Sequence, residues 1–359
     1  MVEPRQRAVR ADRPGARILG RVAAVVATVL VPLLLVASGR PGVLDPGPRP
    51  AASAPAPGPS LPACTGGVLQ VVAHQDDDLF FMSPDLLDDL RLRPDRCVRT
   101  IYLTAGDAGK GADYWQAREA GMQAAYAKAA QVDNSWQEHT LVVGGHPLPV
   151  RTLVGRPSVS LVYLRLPDGF PSGDGTDRYG HQSLIRLLAG RIGTITAVDG
   201  SATYTAAGLR DELVALMDGA GPALIRTTDY VHPLGDGDHA DHHAAAWLAR
   251  DASRLAHVDH TILSYEGYPS QQRPRNIARD DVLLKKDIYD TYQAIALPGE
   301  PMWRPGFLYR QYVVDRATLE AVPNEPPFPT ASAGSAVSAR SAVTALATAR
   351  PYRPGPGRD

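Results

Sequence analysis

Short apolar runs alternate with stretches of helical periodicity along the middle of the chain. The runs that predict strands are rich in Val, Ile and Leu and are bounded by turn residues; they cover 66–74, 97–107, 139–145, 159–169, 222–230 and 260–267. The segments that predict helices space their apolar residues three or four positions apart; they cover 83–92, 112–132, 181–190, 206–220 and 239–253.

Strands separated by helices of about ten or more residues pair in parallel through crossover connections. The pattern therefore predicts an α/β fold in which helices cover both faces of a mostly parallel sheet. No GxGxxG motif follows the first predicted strand, which argues against a dinucleotide-binding site.

The two ends of the chain differ in composition from the middle. Arginines from Arg5 to Arg21 precede the uncharged apolar segment 22–37, so residues 1–40 have the layout of a signal peptide or membrane anchor. The Pro-rich residues 41–63 predict a linker, and the Ala/Ser/Pro-rich residues 322–359 predict a disordered tail. One folded domain is therefore expected over residues 64–321. The basic residues before the apolar segment favour a domain outside the cytoplasm, secreted or anchored by the N-terminal segment.

Charge and cysteine content agree with such a compartment. A formal net charge of −1 gives no electrostatic reason to expect nucleic acid, and membrane contact is expected only through the N-terminal segment. Cys64 and Cys97 each stand just before a predicted strand. If those strands are parallel neighbours, both cysteines lie at the amino-terminal edge of the sheet, and a disulfide between them is predicted. Two unrelated thiols are the alternative.

Polar clusters follow three of the predicted strands. They read HQDDD at 74–78, TAGD at 104–107 and DGDHADHH at 236–243. Ligands of open α/β sheets bind outside the carboxyl ends of the strands, so the three clusters are expected to share one rim.

Imidazole nitrogens and carboxylate oxygens on one rim are the ligands that a divalent metal such as zinc takes, with one position left for water. The positive charge would offset the repulsion among three consecutive carboxylates. Spacing alone leaves open which Asp binds the metal and which one abstracts a proton. Taken singly, the acidic run also fits a helix cap and the His-x-x-His pair a solvated surface. Calcium would make no use of the histidines.

The motifs resemble those of the PIG-L/LmbE-like metal-dependent N-deacetylases. VVAHQDDD is similar to the family's AHPDDE signature and HADH to its HPDH motif, and LTAGDAG, AREAG and LRLPDG occur in the family's order. The resemblance spans about residues 66–314. It implies a Rossmann-like three-layer fold and hydrolysis of the N-acetyl group of an N-acetylglucosamine-type sugar, usually with zinc.

Carried over position by position, the resemblance assigns a role to each matching residue. The implied metal ligands are His74, Asp77 and His242, for zinc or iron(II). Asp76 is implied to be the general base. Cationic His239, oriented by Asp241, is implied to stabilise the oxyanion or to protonate the leaving amine. The implied sugar-hydroxyl contacts are Asp107, Arg118 and Asp168. Gln75 and Asp78 depart from the family's proline and glutamate.

The expected substrate is an N-acetylglucosamine unit on an extracytoplasmic glycan, glycolipid or glycosylated metabolite. The alternatives are an amidase for a larger sugar-amine conjugate, a non-catalytic carbohydrate-binding protein and a metal-dependent phosphoesterase. A phosphoesterase would need a second metal, and no further His/Asp cluster ends a predicted strand.

Overall fold

The computed structural model describes residues 64–302 and 304–322. The predicted signal or anchor segment and the predicted linker lie outside the described residues, as does all but the first residue of the predicted tail. Within the described ranges, no helix is both long and apolar enough to cross a membrane.

The described chain forms ten strands and seven α-helices. The strands are β1 Val68–Val72, β2 Val98–Thr104, β3 Trp136–Val143, β4 His146–Leu153, β5 Val159–Leu166, β6 Ile195–Thr196, β7 Thr203–Tyr204, β8 Leu224–Thr227, β9 His260–Tyr265 and β10 Val313–Leu319. The helices are α1 Asp77–Phe81, α2 Asp85–Arg91, α3 Ala112–Ala129, α4 Leu184–Leu188, α5 Ala206–Ala220, α6 Ala240–Ser253 and α7 Arg279–Ala296. Short 3₁₀ segments occur at Asp177–Tyr179, Tyr268–Gln272 and Gly306–Tyr309.

Eight strands form one sheet in the order β10-β9-β8-β1-β2-β5-β4-β3. The five central strands, from β9 to β5, run parallel, and the strands at both edges pair antiparallel. The prediction of an α/β fold with a mostly parallel sheet is confirmed. β1 lies between β2 and β8, so the chain leaves the carboxyl end of β1 at the centre of the sheet.

The sheet is covered on both faces. Leu69 and Val71 of β1 pack in a core with α4, α5 and α6, whereas Val72 packs in a second core with α1, α2, α3 and α7. Successive residues of a strand point to opposite faces, so a buried central strand must be apolar throughout, as the VLQVV sequence of β1 nearly is. The result is three layers, with the central strand ends at one edge.

Several elements were not predicted as such from the sequence, among them the short helix α1 and the two-residue strands β6 and β7. β4 contains Pro147 and Pro149, residues that argue against a strand. Both lie in the part of β4 that pairs with β3 and precede the positions 150–152 that pair with β5. Helix α7 and strand β10 were also missed, although α7 repeats apolar residues at helical spacing.

A disulfide bond joins Cys64 and Cys97, whose Cα atoms are 5.2 Å apart. Val68 of β1 is in register with Val98 of β2, so the two cysteines precede neighbouring parallel strands. The bond closes the amino-terminal edge of the sheet, the edge away from the polar clusters.

Candidate active site

The first polar cluster forms a tight reversal between β1 and α1. Asp76 has φ 115° and ψ −18°, a backbone conformation that costs energy for any residue with a side chain. The turn is held because the His74 N–H donates to Asp77 Oδ2 (2.7 Å) and the Tyr292 hydroxyl donates to the Gln75 carbonyl (2.8 Å). The reversal places the side chains of residues 74, 76 and 77 in the wall of one cavity.

The second cluster begins helix α6. His239 is the N-cap, and its Nδ1 accepts the Asp241 N–H (3.1 Å). One turn on, His242 Nδ1 is 2.7 Å from Asp238 Oδ1, and its Nε2 faces Asp77 Oδ1 at 3.0 Å. Nitrogen atoms of three imidazoles, His74, His239 and His242, lie within 4.8 Å of one another. The helix start thus carries two imidazoles to the end of β1.

These side chains fit a divalent cation. His242 Nε2 is buried, and its 3.0 Å contact with Asp77 Oδ1 does not have the geometry of a hydrogen bond. The Asp77 carboxylate lies between His242 and His74, and its Oδ2 is 3.5 Å from His74 Nδ1. Asp238 fixes His242 in the way that carboxylates commonly fix metal-binding histidines, by holding the other ring nitrogen. Imidazoles with a carboxylate suit zinc or iron(II).

Strong electrostatic coupling holds this group together. Burial by itself raises the pKa of Asp77, but the neighbouring His242 and His74 hold it well below its ordinary value. Burial lowers the pKa of His242, but Asp77 and Asp238 raise it to about 10. The cluster thus keeps carboxylates ionised in a buried place by setting positive charge beside them. A bound cation would supply that charge instead.

Asp76 differs from Asp77 in its environment. Burial raises the pKa of Asp76 to about 6, against the opposing effect of Arg118. The Arg118 Nη2 donates to Asp76 Oδ1 (2.8 Å) and to the Gln75 carbonyl. Two adjacent carboxylates therefore have pKa values pushed apart, an arrangement typical of an acid–base pair with separate roles.

His239 is neutral in this arrangement. Its Nδ1 uses its lone pair to accept a backbone N–H, so the proton of the neutral ring lies on Nε2, which faces Asp168 Oδ1 at 3.8 Å. Burial, followed by the nearby His74 and His242, lowers the pKa of His239. The contact at Nδ1 and the lowered pKa favour a neutral N–H donor, whereas the motif resemblance implies a cationic His239.

Asp241 lies closer to His74 than to His239. Its Oδ2 is 3.3 Å from His74 Nε2 and 3.9 Å from His239 Nδ1, and it accepts the Gly169 N–H at 2.7 Å. A Cβ on Gly169 would stand 2.6 Å from Asp241 Oδ1, so only glycine allows this approach. Asp241 therefore contacts His239 through its backbone N–H and not, as expected, through its carboxylate. The Asp241 carboxylate faces His74 instead.

The three expected sugar contacts are placed differently. Arg118 and Asp168 line the cavity. Asp107 is fully buried, and its Oδ1 accepts the Asp168 N–H at 3.2 Å, so it supports the Asp168 loop from behind the cavity wall. Burial also raises the pKa of Asp107.

The sequence analysis missed Asp238. Its Oδ1 accepts the N–H groups of His239 (2.9 Å) and Tyr268 (3.1 Å) and also holds His242. The Cβ of any other residue at Gly267 would stand 2.1 Å from Asp238 Oδ2, which fixes glycine there. The spacing of Asp238 and His242, four residues apart across a helix start, was the signal available in the sequence.

The cavity has a volume of about 210 Å³. One part of its lining is polar and contains the candidate catalytic groups. The rest is aromatic or aliphatic and comes from Phe80, Tyr114, Tyr268, Tyr289 and Leu297. Trp115, next to Tyr114, is buried with the Arg165 guanidinium 4.5 Å from its ring centroid and does not line the cavity.

The fold and the site together define an α/β enzyme that uses buried carboxylates and imidazoles at the carboxyl ends of its central strands. The chain belongs to the PIG-L family: the family model, described as GlcNAc-PI de-N-acetylase, matches residues 69–253, just over half of the 359 residues. The resemblance seen in the motifs is thereby confirmed. Membership supports a hydrolytic N-deacetylase that acts on a sugar. No curated protein shows significant similarity to the chain.

Several solved structures share part of the backbone arrangement. A conserved protein from Thermus thermophilus is 14% identical with a TM-score of 0.35, and the match covers 66% of this chain and 82% of that one. A deacetylase of teicoplanin biosynthesis is 15% identical with a TM-score of 0.39, covering 66% and 88%. The 4-carboxy-2-hydroxymuconate hydratase from Pseudomonas putida is 13% identical with a TM-score of 0.34, covering 66% and 80%.

Proposed function

We propose that the protein is a metal-dependent hydrolase that removes the N-acetyl group from an N-acetylglucosamine-type sugar. The observation that carries the proposal is the meeting of His74, Asp76 and Asp77 in the wall of one cavity, with the buried His242 3.0 Å from Asp77, in a chain of the PIG-L family. Asp168 and Arg118 in the same wall offer the charged and hydrogen-bonding groups that sugar hydroxyls need.

The ligand set that we propose is His74, Asp77 and His242. Asp77 lies between the two imidazoles, and Asp238 holds His242 so that Nε2 is available. Bound there, zinc or iron(II) would acidify a water molecule and polarise the acetamide carbonyl. We assign His239, although it lies within reach of the same point, to the substrate, because its Nε2 faces Asp168.

The remaining steps fall to side chains of this chain. Asp76 accepts a proton from the attacking water as the new C–O bond forms. The Nε2–H of neutral His239 donates a hydrogen bond to the developing oxyanion. The C–N bond then breaks, and the proton that Asp76 accepted passes to the leaving nitrogen, so that acetate and a free amine result. Arg118 keeps the Asp76 carboxylate in place throughout.

The location and the acceptor are further parts of the proposal. The basic, apolar N-terminal pattern and the Cys64–Cys97 disulfide favour a compartment outside the cytoplasm. The substrate would then be an acetamido sugar of an extracytoplasmic glycan, glycolipid or glycosylated metabolite.

The test is acetate release by the full chain from a panel of N-acetylglucosaminides. The protein is stripped with chelator and reloaded with zinc or iron(II), and the variants are Asp76→Asn and, as a matched control, the exposed helix residue Asp211→Asn. We expect release that needs metal, survives Asp211→Asn and falls by about 10²–10⁴-fold in Asp76→Asn.

Metal binding is measured on the same samples. Asp76→Asn should still bind one metal ion, because Asp76 is not a proposed ligand. If no sugar of the panel releases acetate from the metal-loaded protein, the proposed activity is wrong. If His74→Ala binds metal as tightly as the wild type, the proposed ligand set is wrong.

A further inference from the structure

The apolar part of the cavity comes mainly from outside the family-matched segment. Tyr268 begins the 3₁₀ segment after β9, Tyr289 lies on α7 and Leu297 caps that helix, whereas the family model ends at residue 253. The polar groups for the proposed chemistry lie within residues 69–253. Three of the five apolar lining residues thus come from the part of the chain that follows the matched segment.

The rings of this wall are held in fixed positions. Tyr268 stacks on Phe307 with the ring centroids 5.5 Å apart and the planes 12° apart. Phe307 contacts Phe80 edge-on at 4.7 Å, and Phe80 lies 4.6 Å from Tyr289. Such contacts immobilise large side chains before any ligand arrives, which lowers the entropy cost of binding.

The composition of the wall decides what can lie against it. Against the ring faces and Leu297, a polar group that does not reach a tyrosine hydroxyl would give up hydrogen bonds to water without replacement, whereas an apolar group gains about 25 cal/mol for each Å² removed from water. An acetyl methyl group is too small to cover Tyr268, Tyr289 and Leu297 together. The apolar surface must therefore meet another part of the substrate.

The size of the cavity limits how much of the substrate enters. A volume of about 210 Å³ lies below the roughly 300–1,000 Å³ typical of sites for drug-sized ligands. One acetamido sugar fills most of this space, so the wall meets the first atoms of a substituent and the rest of a larger group extends through the open side of the cavity.

We infer that Tyr268, Tyr289 and Leu297 select an acetamido sugar that carries an apolar aglycone, an alkyl or aryl group attached directly to the ring. This inference rests on the proposed function, since it concerns the substrate of the same site. It assigns the choice of acceptor to residues that lie outside the family-matched segment, of which Tyr268 also packs on the His242 ring with the centroids 5.0 Å apart.

The experiment compares methyl, hexyl and phenyl N-acetyl-β-D-glucosaminides with the full-length, metal-loaded protein. We expect kcat/KM to be higher for the hexyl and phenyl glycosides than for the methyl glycoside by about tenfold or more, mainly through KM. Leu297→Ser should remove most of this preference. Leu283→Ser, a change at an exposed leucine of the same helix that does not line the cavity, should leave it intact.

Binding is measured separately so that the inference does not depend on turnover. Calorimetry with the Asp76→Asn variant gives the Kd of each glycoside, with and without Leu297→Ser or Tyr289→Leu. A preference for the apolar glycosides that Leu297→Ser removes supports the inference, even if no acetate is released. The absence of acetate release would contradict only the proposed activity.

Two results would overturn the inference. One is equal Kd and kcat/KM values for methyl and hexyl glycosides in the wild type. The other is a preference for N-hexanoyl over N-acetyl sugars that Leu297→Ser abolishes, because the wall would then hold the acyl group instead of the aglycone.

Discussion

Arg118 and Asp76 form an ion pair in the cavity wall, with Nη2 and Oδ1 2.8 Å apart. The same guanidinium donates to the carbonyl of Gln75, the residue before the strained Asp76 backbone. One side chain of α3 therefore fixes both the carboxylate and the turn that presents it. Arg118 is thus the charged partner of the proposed general base and shares with Tyr292 the contact that holds the Gln75 carbonyl.

We predict that Arg118→Gln lowers kcat by an amount within the roughly 10²–10⁴-fold that a general base contributes. The amide lacks the charge and the fork of donors that hold Asp76 and the Gln75 carbonyl together. Steady-state kinetics on an active glycoside give the value, with the exposed Arg178→Gln as control. A kcat within twofold of the wild type would show that Asp76 needs no such support.

Asp238→Asn should weaken metal binding by about 10–100-fold, the usual effect of losing a carboxylate that orients a metal-binding histidine. The substitution removes the charge next to His242 Nδ1 while keeping the size of the side chain. Competition with a fluorescent chelator measures the affinity. Unchanged affinity at wild-type stability would mean that His242 is oriented without Asp238.

Tyr102→Phe should lower the free energy of unfolding by about 1–3 kcal/mol, because a buried acceptor loses a donor. The Tyr102 and Tyr126 hydroxyls both donate to Asp78 Oδ2, and burial raises the pKa of Asp78 to about 7. Denaturant unfolding gives the value. Tyr204→Phe is the control, since that buried hydroxyl has no hydrogen-bond partner among the described residues and should cost little. Equal effects of the two changes would contradict the prediction.

Lys285 makes the stability depend on pH. Its Nζ lies within hydrogen-bonding distance of four backbone carbonyls, those of Phe80, Ser83, Phe307 and Arg310, which share its three N–H donors, yet burial lowers its pKa from 10.5 to about 7. Between pH 7 and 10.5 the unfolded chain therefore binds more protons than the folded one. The free energy of unfolding should then rise with pH across this window, by at most about 1.4 kcal/mol per pH unit from this group.

Lys285→Met should flatten that rise, and Lys286→Met, a change at the neighbouring and less buried lysine, should not. Urea unfolding at several pH values between 7 and 10.5 measures the slopes. Parallel curves for Lys285→Met and the wild type would show that the four carbonyls hold the ammonium charged throughout the window.

Replacing Cys64 and Cys97 together by serine should lower the free energy of unfolding by about 3–4 kcal/mol, the loop-closure value for a separation of 33 residues. The bond lies at the amino-terminal edge of the sheet, so kcat and KM should stay close to those of the wild type. Unfolding with and without reductant and kinetics on the folded variant check both points. A large loss of activity at full folding would contradict the assumed independence of the two edges.

The part of the fold that depends on local patterns could be predicted from the sequence. The apolar runs of β1, β2 and β5, the helix-forming Ala, Gln, Arg and Lys residues of α3 and the periodicity of α6 were sufficient for a parallel sheet with helices on both faces. β4 was not predicted because its two prolines argue against a strand. The structure accommodates them because their positions do not pair with β5.

The site was predictable to the extent that it lies in motifs. His74, Asp76, Asp77 and His242 stand at strand ends or a helix start, and the structure brings them together. The neutral state of His239 was not predictable, since it depends on one backbone N–H placed by the helix cap. Tyr289 and Leu297 reach the cavity from a helix far along the chain, and no local pattern marks them.

Asp238 contacts both the proposed metal site and the wall proposed to bind the substrate. Its Oδ1 holds the metal-side His242 and also receives the backbone N–H of Tyr268, the first residue of the apolar wall. Because the shared contact is made through the Tyr268 backbone N–H, it depends on the path of the chain after β9 and not on the side chain at residue 268. A substitution at this residue would reshape the wall of the cavity, whereas an insertion directly after β9 would move the N–H and with it the carboxylate that holds His242.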